Sequence, residues 1–312
     1  MRQKVLIIKL GYSETLDKEI SEVSSLGDIL RTTIILHCFK ESHVTWLVDA
    51  KAYPLLEGNP YISRILIYNL TSVLQLQSER FDTIINFEKV PGICAMADSI
   101  NGWRRLGFRF DEIKGEAQAY DSAERIFYIT QDKKLKKQNT VSLQQSLIEL
   151  VDGKWENQEY ILNYEPNTHT KFDIGLNWAV GIKWPNKAWP EEYWKQLEEI
   201  IIKDKIYKYD WQKGLKSIRE YIDWINSCKL IVTNDSLGFH LALALKKRVI
   251  VFFGPTSQYE TYLYNRGTAM VPDVDYDCIP CFEPACSQKK NCTYFIKPEK
   301  VYSEIVEKLK EI

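Results

Sequence analysis

The chain lacks long hydrophobic runs and an excess of either charge, and it contains little glycine or proline. Its longest apolar runs, residues 93–97, 241–245 and 249–253, are far shorter than the ~20 residues that span a bilayer. The 41 basic and 42 acidic side chains give a net charge of −1, without the basic excess that binds a nucleic-acid backbone. With only 14 glycines and 11 prolines in 312 residues, collagen-like and disordered classes are excluded. These absences predict a globular protein without a transmembrane helix or a nucleic-acid partner.

A hydrophobic signal segment is also missing from the first residues. Met1 to Lys4 is basic, but only four apolar residues follow before Lys9, too few for the core of a signal peptide. We therefore expect a cytoplasmic protein, with peripheral association at the inner face of a membrane left open.

Short β-branched runs alternate with segments of helical periodicity. The runs read as buried strands are residues 4–10, 43–48, 64–68, 82–86, 172–177, 229–233 and 248–253. This alternation predicts an α/β fold of parallel sheets covered by helices, with ligands bound at the carboxyl ends of the strands. The polar stretch 163–171 precedes a fresh strand, so we predict domains over 1–165 and 166–312. A last helix over 298–312 is predicted from the apolar spacing of Val301, Ile305 and Leu309.

The first segment that indicates chemistry is SLGD at 25–28, where a small-residue loop leads into a helix. Asp28 has two interpretations. It caps the helix, a position that aspartate favours. Alternatively, its carboxylate points into a ligand crevice and accepts a proton.

Two further segments lie at strand ends in the second half. In WPNKAWP at 184–190, Lys187 precedes a helix, where a point charge beside free helix amides holds a diphosphate well. The alternative is an ordinary solvated lysine. In NDSLGFH at 234–240, a strand turns directly into a helix and offers amides to an anion and a carboxylate to sugar hydroxyls. The alternative is that Asp235 or Ser236 caps the helix and that His240 fills a core niche.

Together with FGPT at 253–256, these segments resemble glycosyltransferase family 9, the ADP-heptose heptosyltransferases. The resemblance implies a GT-B architecture, in which two Rossmann-like domains face each other across a cleft. It implies an inverting transfer of a heptose or related sugar from an ADP-sugar to a hydroxyl acceptor. That acceptor would be a surface glycan of the lipopolysaccharide type, a lipid-linked glycan or a protein hydroxyl. The acceptor would bind to domain 1–165 and the nucleotide sugar to domain 166–312, without a cofactor for the chemistry.

The resemblance also assigns roles to single residues. Asp28 becomes the general base for the acceptor hydroxyl, and Arg31 and Lys89 contact an anionic acceptor, although exposed surface charges explain those two as well. Lys187 and helix amides stabilise the leaving diphosphate, and Asp235 holds sugar hydroxyls. The predicted donor-binding set is Lys187, Asn234, Asp235, Ser236, Leu237, Gly238 and His240.

One segment departs from the family pattern. Family members carry there a strand that ends in a glycine pair and an acid that binds the nucleotide ribose, whereas residues 203–214 are polar and aromatic without a glycine pair. This region therefore looks truncated. It favours a second hypothesis, a non-catalytic GT-B-fold binding or partner subunit with a degenerate donor pocket.

Four of the seven cysteines crowd into one proline-containing loop. Their spacing, with two, four and five residues between successive thiols, suits one tetrahedral metal, although it matches no standard zinc finger. We predict a structural zinc or iron at this cluster, with free or disulfide-paired thiols as the alternative. The predicted ligands are Cys278, Cys281, Cys286 and Cys292.

Overall fold

The structure is a computed structural model that describes residues 2–12 and 22–311. The chain divides into two compact units, Met1–Tyr164 and Glu165–Ile312. Each unit contains one sheet that is parallel or mainly parallel, with helices in the connections between strands. Within the described ranges, no helix combines the length and the apolar character needed to cross a bilayer.

The first unit contains a six-stranded sheet in the order β3-β2-β1-β4-β5-β6. All neighbouring strands are parallel except β5 and β6, which pair as an antiparallel hairpin. The central strand β1 is almost entirely buried, as expected for a parallel strand covered on both faces. The strands are β1 (Lys4–Ile8), β2 (His43–Val48), β3 (Arg64–Ile67), β4 (Arg80–Asn86), β5 (Asn101–Asp111) and β6 (Glu116–Ala119).

Seven α-helices are described in this unit. Several begin at side chains that accept hydrogen bonds from free backbone amides, including Asn69, Asp132 and Ser142. The helices are α1 (Leu26–Thr32), α2 (Tyr53–Leu56), α3 (Leu70–Gln77), α4 (Pro91–Ser99), α5 (Glu124–Gln131), α6 (Lys133–Gln138) and α7 (Leu143–Leu150).

The second unit contains a five-stranded parallel sheet in the order β11-β10-β9-β7-β8. The strands are β7 (Phe172–Asn177), β8 (Tyr209–Trp211), β9 (Cys228–Asn234), β10 (Arg248–Phe252) and β11 (Gly267–Met270). The helices are α8 (Glu191–Asp204), α9 (Ile218–Asn226), α10 (Leu237–Ala244) and α11 (Pro298–Lys310).

The last helix closes the core of the second unit. Val301 and Ile305 are fully buried and Leu309 packs at the margin of the same cluster, which also contains Trp194 and Leu197 of α8. The predicted apolar stripe is therefore confirmed, although the predicted end at residue 312 lies outside the described residues.

The seven predicted strands are confirmed, each within two residues of its observed ends. The strands β5, β6, β8 and β11 are not among those predicted from the sequence. The strands β6, β8 and β11 lie at sheet edges, and β5 carries exposed arginines, so none presents the continuous apolar run of a buried strand. The α/β fold class with two parallel-sheet domains is confirmed.

A buried carboxylate organises the loop after β1. Glu88 follows β4 and is 1% exposed. Its Oε1 accepts hydrogen bonds from the amides of Leu10 and Gly11, both at 2.8 Å, and its Oε2 accepts one from Tyr12 at 3.1 Å. The Nζ atom of Lys9 lies 3.0 Å from Oε1. Three amides and one cation thus compensate the burial of this charge.

Gly11 links this loop to the start of α1. Its φ of 78° lies in the left-handed region, and its carbonyl accepts a hydrogen bond from the Ser25 amide at 2.9 Å. Ser25 is the N-cap residue of α1. Glu88 therefore helps to fix the helix that carries Asp28.

Replacing Glu88 with alanine should lower the free energy of unfolding by about 3–5 kcal/mol, because it removes the acceptor of three amides and leaves Lys9 unpaired. The matched control is Glu79→Ala. Glu79 pairs with Arg64 at 2.7 Å, but the two side chains are 30% and 31% exposed, so we expect a loss of about 0–1 kcal/mol. Urea unfolding measures both, and equal losses would contradict this account of Glu88.

Candidate functional site

Three chain segments of the second unit meet in one charged cluster. Lys187 ends the short 3-10 helix before α8, Asp235 follows β9 and Thr256 follows β10. The Nζ atom of Lys187 lies 2.6 Å from Oδ2 of Asp235, and the Thr256 hydroxyl donates to the same oxygen at 2.8 Å. The cluster thus lies where parallel strands end, the edge at which α/β sheets bind ligands.

The cluster is largely shielded from solvent. The side chains of Lys187 and Asp235 are 14% and 12% exposed. Burial alone would raise the pKa of Asp235, but the charges of Lys187 and His240 and the hydrogen bonds from Lys187 and Thr256 outweigh it and hold that pKa below its ordinary value. Asp235 is therefore an ionised acceptor at neutral pH. The interpretation of Lys187 as a solvated lysine is wrong.

Both polar atoms of the Asn234 side chain form hydrogen bonds to neighbouring loops. The residue is fully buried. Its Oδ1 accepts a hydrogen bond from the amide of Trp189 at 2.9 Å, and its Nδ2 donates to the carbonyl of Trp178 at 2.7 Å. Asn234 thus joins the end of β9 to the loop after β7 and to the loop before α8.

A polar network packs against the start of α10. Ser236 is its N-cap residue. The hydroxyl of Tyr221 donates to Oδ1 of Asn177 and accepts a hydrogen bond from the Gly238 amide. A Cβ atom at Gly238 would lie 2.3 Å from both the Asn177 Nδ2 and the Tyr221 hydroxyl, so only glycine fits there. At the start of this helix, the amide of Gly238 already has a partner inside the protein, while Leu237 is the first helical residue.

His240 lies on the first turn of α10 and is 5% exposed. Its ring packs against Phe239 with 5.0 Å between ring centroids. Its positive form also favours the ionised state of Asp235. His240 therefore packs in the core, as one interpretation predicts, and also acts on the charge of Asp235, as the other predicts.

The region that looks truncated in sequence contains a complete structural unit. After α8, residues Tyr209–Trp211 form β8, which pairs in parallel with β7. Gln212 continues this edge, and its amide donates to the carbonyl of Leu176 at 3.0 Å. The segment is short, but its strand is present.

The predicted metal site is not found. Among residues 2–12 and 22–311, no three histidine, cysteine or acidic side chains are arranged to hold a metal ion. Cys278, Cys281, Cys286 and Cys292 form no disulfide bond in the described part of the chain. Burial, followed by the neighbouring thiols, raises the pKa of Cys292 to about 12, so it is a neutral thiol in the metal-free protein. Cys286 is exposed and contacts the carbonyl of Gln288.

Instead, the cysteine-containing loop packs beside the charged cluster. Asn186, next to Lys187, donates from Nδ2 to the carbonyl of Glu283 at 3.1 Å and accepts from the side chain of Asn291 at 2.7 Å. The amide of Phe282 donates to the carbonyl of Pro255 at 2.7 Å. The loop therefore supports the segments on both sides of Asp235.

In the first unit, Asp28 lies within the first turn of α1. The N-cap residue is Ser25, so the interpretation of Asp28 as the N-cap is wrong. Asp28 is 42% exposed and forms an ion pair with Arg31, which is only 13% exposed. Arg31 is therefore not an exposed surface charge.

Lys89 contacts a different part of the first unit. Its Nζ atom lies 3.4 Å from the Thr130 hydroxyl and 5.8 Å from the centre of the Phe108 ring. It follows the buried Glu88 directly in the chain, at the carboxyl end of β4.

The site residues predicted from the sequence do not include several residues that contact the charged cluster or the start of α10. Thr256 lies in the FGPT segment, but nothing in that pattern shows its bond to Asp235. Tyr221 and Asn177 are distant in sequence from Gly238, and only the fold brings them together. The sequence offers no signal for these contacts beyond the position of Asn177 and Thr256 after strands.

Comparison with known proteins gives a consistent match. The model of "Glycosyltransferase family 9 (heptosyltransferase)" matches residues 214–292. Lipooligosaccharide heptosyltransferase 2 of Campylobacter jejuni is 31% identical over 34% of this chain and 34% of its own length. Lipopolysaccharide heptosyltransferase 1 of Campylobacter coli is 23% identical over 77% of this chain and 84% of its own length. The matches to the first two curated relatives span about a third of those proteins.

A solved structure matches over almost the whole length. The E. coli ADP-heptose lipopolysaccharide heptosyltransferase II is 14% identical, with a TM-score of 0.67 over 99% of both chains. At this identity the likeness shows the fold alone. It confirms the predicted GT-B type of α/β fold.

Replacing Lys187 with methionine should leave a buried carboxylate without its cation and cost about 3–5 kcal/mol of stability. The lowered pKa of Asp235 in the folded protein means that its stabilising contribution is present at neutral pH and is lost as the pH falls through that value. Without Lys187 this pKa rises, so the loss begins at a higher pH. Urea unfolding at a series of pH values measures both effects.

The control for this prediction is the double variant Lys187→Met with Asp235→Asn. It leaves no unpaired buried charge, so it should recover most of the lost stability and the pH dependence of the single variant should disappear. If Lys187→Met unfolds like the wild type at every pH, the ion pair does not stabilise the fold.

Proposed function

We propose that the chain is a member of glycosyltransferase family 9 and that it transfers a heptose or related sugar from an ADP-sugar to a hydroxyl acceptor. The acceptor is a glycan of the lipopolysaccharide type, a lipid-linked glycan or a protein hydroxyl. Domain 166–312 binds the nucleotide sugar and domain 1–165 binds the acceptor. The relatives that carry heptosyltransferase names, including one named for ADP-heptose, support this choice of sugar and nucleotide.

The cluster of Lys187, Asp235 and Thr256 is the single observation that carries the proposal. It places a cation at the carboxyl edge of a parallel sheet and beside the start of α10. A departing diphosphate develops negative charge, which a preorganised cation and helix amides stabilise more strongly than water does. The chemistry therefore needs no metal ion at this point.

Donor binding changes the partners of Lys187. The ammonium group of Lys187 then donates to a diphosphate oxygen instead of to Asp235. Thr256 and the nearby His240 still compensate the charge of Asp235. The carboxylate then has acceptor capacity for a sugar hydroxyl. In this account, Ser236 and Leu237 supply the anion-binding amides and Asn234 holds the loops in place.

Asp28 acts on the acceptor side. Its carboxylate accepts the proton of the acceptor hydroxyl as that oxygen attacks the anomeric carbon of the sugar. Attack from the side opposite the diphosphate gives inversion without a covalent sugar–enzyme intermediate. Arg31 positions Asp28 through their ion pair, and Arg31 and Lys89 bind negative groups of the acceptor.

A second candidate function, a non-catalytic binding subunit, is favoured by the short segment 203–214, which has no glycine pair. Such a protein binds ADP-sugars without consuming them. Incubation with ADP-heptose and measurement of ADP release, with and without acceptor, separates the two functions. Binding without any turnover would reject the transferase.

Replacing Asp28 with asparagine should reduce transfer by about 10²- to 10⁴-fold, because the acceptor hydroxyl loses its base. Affinity for ADP should stay unchanged, since the proposal places the donor in the other domain. The matched control is Asp132→Asn, in which asparagine keeps the ability to cap α6. Full turnover by Asp28→Asn would remove this residue from the mechanism.

A further inference from the structure

Trp178 holds an exposed indole at the carboxyl edge of the second sheet. It follows β7 directly, and its side chain is 48% exposed. Its Nε1 donates to the carbonyl of Gln212 at 2.9 Å, and its own carbonyl accepts from Asn234 at 2.7 Å. The residue is therefore fixed at both its backbone and its ring while much of the ring faces solvent.

This combination differs from that of two other tryptophans of the second unit. Trp189 and Trp194 are each 2% exposed and pack within the core of the same unit. Apolar surface left in water costs free energy that core burial would recover. A rigid aromatic ring with open surface is the arrangement that proteins use to stack a planar ring of a ligand.

The order of the strands places Trp178 usefully with respect to the charged cluster. In the sheet order, Asp235 follows β9, Trp178 follows the adjacent β7, and the indole reaches Gln212 after the next strand, β8. Neighbouring strands lie about 4.8 Å apart, so the edge from β9 to β8 spans roughly 10 Å. A ligand with phosphates at Lys187 and a planar base over Trp178 would lie along this edge.

We propose that Trp178 is the stacking surface for the nucleobase of the bound nucleoside diphosphate. Stacking by the indole supplies affinity for the nucleoside part of the ligand. The hydrogen bond to Gln212 orients the ring before the ligand arrives. This inference rests on the proposed nucleotide-sugar site and names the residue that contacts its base.

The test compares two ligands that differ in the base. ADP and inorganic diphosphate are titrated calorimetrically into the wild type, Trp178→Ala and Trp178→Phe. Trp178→Ala should bind ADP about 5- to 150-fold more weakly, because one base loses its stacking partner. Its affinity for inorganic diphosphate should match that of the wild type. Trp178→Phe keeps a ring but loses the N–H donor, so it should retain most of the ADP affinity.

Trp103→Ala is the matched control, since Trp103 is 77% exposed but lies on β5 of the first unit. It should leave the affinity for both ligands unchanged. Equal ADP affinity in Trp178→Ala and wild type would overturn the stacking role. So would equal losses for ADP and inorganic diphosphate, or a Trp178→Phe variant as weak as Trp178→Ala, which would assign a purely structural role. A wild type that binds neither ligand would reject the proposed nucleotide site itself.

Discussion

The ion pair between Lys187 and Asp235 is the interaction on which the second unit's site depends. Two opposite charges are taken largely out of water, and this is tolerated because they lie 2.6 Å apart and Thr256 donates to the same oxygen. The pair also ties the segment before α8 to the ends of β9 and β10. The same contact therefore determines the local fold and places a cation where a ligand can reach it.

Neutral hydrogen bonds hold the surroundings of this pair. Asn234 and Asn177 lie at the ends of neighbouring strands and use their amide groups on loops, on Thr233 and on Tyr221. Such a network has few alternative arrangements when every member is buried and bonded. Gly238 is required because Asn177 and Tyr221 occupy the space of a side chain. In the first unit, Glu88 plays a comparable part around the loop after β1.

Much of the fold could be predicted from sequence because buried parallel strands carry continuous β-branched runs. The range 43–48 matches β2 at both ends, as does 172–177 for β7. The edge strand β8 carries no such run, because one side of it lies toward solvent. The sequence motifs indicate Lys187 and Asp235 as candidate binding residues, but they do not show that the two side chains contact each other.

Other parts of the site depend on packing that spacing cannot reveal. The cysteines are close in sequence and suggested a metal, yet Cys292 is a buried thiol in a short helical turn and Cys286 lies in solvent. The partners of the Gly238 amide and of the Glu88 carboxylate come from distant segments. The sequence does not indicate a role for Trp178, because it does not show whether a tryptophan side chain is exposed or buried in the core.

A crystal structure with bound ADP tests the central claim most directly. The account predicts that the Nζ atom of Lys187 lies within hydrogen-bond distance of a diphosphate oxygen while Thr256 still donates to Asp235. ADP bound in the crystal with Lys187 closed on Asp235 and without a contact from Lys187 to a phosphate would contradict it.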